Sequence, residues 1–165
     1  MTTIHLPRLA WLVGAMALLL PQATATAQNA ANSNAPVDIT FTKWVTVSPR
    51  MTGFTGGDVE GVYVGEVLQR QVSTNPGLNG IIRLEAIYEV QSGNRSFTAL
   101  IRGGTDAVTG SAILDGVVLA GWRTGAAVHV EFDTISGTPG CVGAPIATTC
   151  FQGTIHVGPA PPPRH

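Results

Sequence analysis

The stretch Ile82-Arg-Leu-Glu-Ala-Ile-Tyr-Glu-Val-Gln91 decides the fold class. Ile82, Leu84, Ala86, Tyr88 and Val90 fall on one side of a period of two; Arg83, Glu85, Ile87, Glu89 and Gln91 fall on the other. Successive side chains of an extended strand point to opposite faces, so this pattern reads as a strand with one buried and one wetted face. The same alternation sets Val128, Val130 and Phe132 against His129, Glu131 and Asp133. It recurs where Phe151, Gly153, Ile155 and Val157 alternate with Gln152, Thr154 and His156. No long run repeats at the helical period.

Turn signals such as Ser92-Gly-Asn94 and Asn75-Pro-Gly77 separate the runs. Expected strands cover 39–47, 57–69, 81–91, 96–102, 110–121, 126–134 and 151–157. Seven or eight strands joined as neighbouring hairpins imply an all-β chain, a single antiparallel β-barrel of about eight strands, with a β-sandwich as the alternative. Glycine placement favours the barrel. Gly53, Gly57, Gly61 and Gly65 are four apart and, in a continuous strand, share a face with Val59, Tyr63 and Val67. Inner-face glycines let a strand bend sharply or leave room for opposing bulk. A membrane-spanning barrel would carry aromatic girdles at its strand ends. The aromatics after the leader, from Phe41 to Phe151, do not fall in such pairs.

The chain has 165 residues, with 9 Lys+Arg against 10 Asp+Glu, and lacks the basic excess needed to hold a nucleic-acid backbone. Its 44% hydrophobic and 12% charged residues argue for a folded domain. Residues 1–27 read as a cleavable export signal: Arg8, the apolar run Leu9 to Leu20, then Ala25-Thr26-Ala27 before the cut. That run is too short to span a bilayer, and no later stretch would form a transmembrane helix in the mature chain. Residues 28–37 read as a flexible leader, 38–157 as the barrel domain and 158–165 as a Pro-rich tail. The expected location is secreted or periplasmic. An oxidising compartment implies a disulfide between Cys141 and Cys150, which would contribute about 3 kcal/mol by restricting the unfolded chain.

The stretch Thr55-Gly-Gly-Asp-Val-Glu-Gly-Val-Tyr-Val-Gly65 resembles the opening of the allene oxide cyclase-like barrels, a grouping that includes the dirigent proteins. Arg95-Ser-Phe-Thr98 and Thr109-Gly-Ser-Ala-Ile-Leu-Asp-Gly116 carry the same likeness, which covers roughly residues 38–157. The resemblance implies an eight-stranded barrel with an apolar cavity, often trimeric, that holds a lipid epoxide or steers a radical coupling. No catalytic position of the family is matched here residue by residue.

Two constellations are candidates for function. Glycines facing Trp44, Tyr63, Tyr88 or Trp122 would leave an apolar pocket, the usual form of a small-ligand site, or these rings simply fill the barrel. His129, Glu131 and Asp133 meet His156 if strands 126–134 and 151–157 pair with His129 opposite His156. Two imidazoles and a carboxylate at that spacing suit a shared proton or divalent ion, and equally the solvated face of a hairpin. No G-x-S-x-G elbow, Walker loop or H-E-x-x-H sequence occurs. The reading is a barrel without cofactor that binds a small hydrophobic ligand or a partner surface, with homo-oligomers in view. The alternatives are a cofactor-free isomerase or cyclase acting inside the barrel, which would need an inward ionisable group, and a structural envelope protein.

Overall fold

A computed structural model describes residues 34–78, 80–136, 141–146 and 148–162. The expected export signal lies outside the described residues. Eight strands follow in order: β1 (Val37–Val45), β2 (Arg50–Gly57), β3 (Gly61–Val72), β4 (Ile81–Gln91), β5 (Phe97–Asp106), β6 (Ser111–Gly121), β7 (Ala127–Ile135) and β8 (Cys150–Val157). Each pairs antiparallel with the next, and β8 returns to β1, closing the barrel. Closure leaves no edge strand to template unwanted pairing. Strand β2 is the one absent from the expected set. The supposed single strand through Gly53 and Gly65 is two strands, because the chain turns at 58–60 after Gly57 enters the left-handed region (φ 77°).

Both glycines nevertheless act on the inner face. Gly53 lies between Lys43 and Tyr63 in the ladder, and Gly65 between Met51 and Tyr88. A Cβ on Gly53 would overlap the Thr42 carbonyl, and one on Gly65 would overlap the Tyr63 hydroxyl. Small residues beside large ones allow a narrow barrel to curve and still close over bulky side chains. Register shifts at Val67/Gln69 and Thr98/Ala99 add further local bending.

The core runs along the inner faces through Ile39, Phe41, Tyr63, Tyr88, Val90, Ile101, Leu114, Val130 and Ile155, all buried. The end of the barrel where β1 begins is closed. There Arg123, itself left-handed (φ 61°), donates to the carbonyls of Val157 (3.1 Å), Gly158 (2.9 Å) and Ala35 (2.5 Å). Its guanidinium lies 4.4 Å from the Trp122 ring centre. The Ala160 N–H donates to Asn34 Oδ1, so the segments flanking the barrel are joined at this end. The Cys141–Cys150 disulfide is formed at the opposite end, between β7 and β8.

Candidate functional site: a buried amine beneath a cavity

Ile39, Phe41 and Lys43 alternate along β1 and share its inner face, so the strand period carries a cation into the barrel. Lys43 is the only lysine of the chain, and it is 1% exposed. Its Nζ lies 4.2 Å from the ring centre of Phe132, 4.1 Å from Tyr88, 4.9 Å from Phe41 and 5.4 Å from Tyr63. The amine donates a hydrogen bond to Tyr88 Oη. No carboxylate forms an ion pair with it among the described residues. Burial away from water therefore holds its pKa well below the usual lysine value.

Above the amine the barrel widens into a cavity of about 610 Å³. Met51, Val67, Leu84, Phe132 and Phe151 form apolar walls, while Arg70 and Asp106 contribute charge near the strand ends. The volume falls in the range of small-molecule sites, and a few polar groups among apolar walls are their common composition. Lys43 is the fully buried one here, and Ser48, Thr105 and Thr134 add hydroxyls to the lining.

Tyr63 and Tyr88 face the barrel interior but do not line this cavity; they pack in edge-to-face contact (4.9 Å, 88°) against the amine. Both are buried, and burial raises both phenol pKa values; the neighbouring Tyr88 adds to the rise at Tyr63. Tyr63 Oη makes no hydrogen bond of good geometry, although Tyr88 is near enough to perturb it. The two tryptophans are elsewhere, which corrects their assignment to the pocket. Trp44 points out of the barrel, since its neighbour Lys43 takes the inner face, and packs with Phe54, Cys141 and Cys150. Trp122 packs on Phe97 and Arg123 at the closed end.

His129 does pair with His156 across β7 and β8, their rings stacked 5.9 Å apart. Each imidazole is matched with carboxylates on the outer surface. His129 bonds Asp115 through Nδ1 (2.7 Å) and Glu131 through Nε2 (3.1 Å), and His156 Nδ1 bonds Asp38 (2.5 Å). The Asp115 hydrogen bond, followed by that of Glu131, raises the His129 pKa. Asp133 is engaged by Ser111 Oγ instead (2.6 Å). Among the described residues no group of three or more His, Cys, Asp or Glu is arranged to hold a metal ion. The cluster is a charge-paired outer face.

The sequence reading passed over Lys43. The signal was present: a sole lysine at an apolar-phase position of an alternating strand. Compared with known proteins, the chain matches no family model, no curated protein and no solved structure. The fold and site thus define a class by themselves: a closed antiparallel barrel with one buried amine at the foot of an open-ended apolar cavity.

Proposed function

We propose that this protein binds a small, largely apolar molecule in the open end of the barrel, with the polar end of that molecule directed at Lys43. The observation that carries this is the amine itself. Burying a lysine with no carboxylate beside it among the described residues opposes folding, and a methionine would fill similar space without that penalty. A residue that lowers stability and sits where a cavity meets the core is explained by what enters the cavity. A second reading, a cofactor-free isomerase or cyclase, draws on the same residue. A buried amine of lowered pKa is an inward acid–base group, which such chemistry requires.

We read the kinship with allene oxide cyclase-like barrels as one of fold, supported by the strand count and closure. Export to the periplasm or exterior draws support from the disulfide. Among the described residues no helix is long and apolar enough to cross a membrane. The outer face carries charge along the strands, including the Arg102–Glu85 pair (2.7 Å), where a lipid-facing band would be apolar. An outward apolar row, Ile87, Leu100 and Val117 at successive pairings of β4, β5 and β6, supports self-association.

Titration with N-phenyl-1-naphthylamine, an uncharged apolar dye, tests the binding reading. Saturable fluorescence enhancement is expected, lost when Leu84→Trp or Val67→Trp fills the cavity. A folded wild type that gives no saturable enhancement overturns it.

A further inference from the structure

We infer that the ligand class is an apolar aldehyde or ketone, held as an imine on Lys43. The inference rests on the cavity-binding reading and adds the chemistry of the contact. Three features of the geometry select a carbonyl over a carboxylate. The amine forms no ion pair with a carboxylate among the described residues and is enclosed by the rings of Phe41, Tyr63, Tyr88 and Phe132. Their faces attract a cation, but exclusion of water outweighs that and holds the amine pKa well below the usual lysine value. An uncharged amine has a lone pair for attack and no full charge with which to hold an anion. The other titratable groups around the amine are the phenols of Tyr63 on β3 and Tyr88 on β4, which pack against it from the core, and Arg70 and Asp106, which line the cavity. Finally, Tyr88 Oη is in hydrogen-bond contact with Nζ, at the place where a proton must be exchanged.

The step balances without a cofactor. The Nζ lone pair attacks the carbonyl carbon, and a proton passes from nitrogen to the carbonyl oxygen to give a carbinolamine. Tyr88 then protonates the hydroxyl, which leaves as water while the nitrogen lone pair forms the C=N bond. The remaining N–H proton returns to the Tyr88 oxygen. One aldehyde and one amine become one imine and one water, and nothing is oxidised or reduced.

Having one lysine makes the test clean, because the only other primary amine of the chain is its N-terminus. The full-length mature protein is incubated with decanal and sodium cyanoborohydride, which reduces an imine to a stable secondary amine. Intact mass and peptide mapping then locate the alkyl group. We expect a single decyl adduct on Lys43, loss of that adduct in Lys43→Met, and labelling slowed at least about tenfold in Tyr88→Phe, in line with loss of a general acid. Decanol, which lacks the carbonyl, is run in parallel as a displacer of N-phenyl-1-naphthylamine. If decanol displaces the dye but decanal labels only the N-terminus, the carbonyl inference fails and the cavity reading stands. If neither displaces the dye and Lys43 stays unmodified, both fall.

Discussion

The side-chain amine of Lys43 and the phenol of Tyr88 are hydrogen-bonded to each other inside a closed β-barrel, one from β1 and the other from β4. The strands are not neighbours, so the pair spans the interior and ties the cavity floor to the packed core. Both groups favour their uncharged forms there, because burial lowers the lysine pKa and raises that of the tyrosine. That one relationship accounts for the most distinctive expected behaviour of the protein.

Stability should rise with pH toward a maximum near about pH 10, because unfolded Lys43 titrates at about 10.4 and folded Lys43 well below it. Between those two values the unfolded chain binds more protons, so each step upward in pH favours folding. Above about pH 10 the unfolded tyrosines ionise first, since Tyr63 and Tyr88 are held above their usual values in the fold, and stability falls again. His129, raised in the fold, works the other way: its contribution is complete below about pH 6.5 and is lost as pH climbs through its folded value. Urea unfolding across this range should show the rise toward about pH 10 in wild type and not in Lys43→Met, while the fall above it persists in both. That variant should also be more stable at neutral pH by about 1–3 kcal/mol. A Lys43→Met curve parallel to wild type would refute the buried, uncharged amine.

Gly65→Ala should destabilise the barrel by about 1–3 kcal/mol, because the new methyl overlaps the Tyr63 phenol. Tyr63→Phe alone should be close to neutral, since the hydroxyl it removes is buried without a well-formed hydrogen bond. The double variant should recover part of the loss. It cannot recover all of it, because the ring carbons of Tyr63 also crowd that methyl. A double-mutant cycle on urea midpoints reads the coupling, and strict additivity would contradict the contact.

Reducing the Cys141–Cys150 bridge should lower stability by about 3 kcal/mol, the loop-closure value for a ring of about ten residues. Trp44 is covered by those two cysteines, so its emission should shift to the red on reduction while the barrel remains folded. The shift should vanish in Trp44→Phe, since Trp122 lies at the closed end.

Arg123→Ala should weaken the closed end by about 2–4 kcal/mol, because charge-assisted bonds to the Val157, Gly158 and Ala35 carbonyls are lost together. Arg123→Gly should be milder by about 1 kcal/mol, because position 123 is left-handed and glycine alone adopts that conformation freely. Thermal melts of the two variants give the order directly.

The barrel was legible in the chain because alternation is local. Tyr88 and Val90, or Val128 and Phe132, declare their faces within a few residues, and turn residues mark the hairpins. Strand β2 was not legible. Arg50 to Gly57 has glycines and threonines where an apolar phase would show, and its extension comes from pairing with β1 and β3. Trp44 and Trp122 were misplaced for a related reason. An aromatic ring suits a barrel interior or a covered outer face equally well, and the loop that covers Trp44 is brought back by the disulfide.

By itself, the sequence determined the all-β class, the inner and outer faces of most strands and the pairing of two cysteines, because each follows from residues close along the chain. Only the tertiary structure decided that the one lysine faces two tyrosines beneath a cavity. Lys43, Tyr63 and Tyr88 come from three strands, and closure of the cylinder alone brings them together and excludes water from the amine. A lysine's charge state depends on that exclusion, so its chemistry has no counterpart in local sequence.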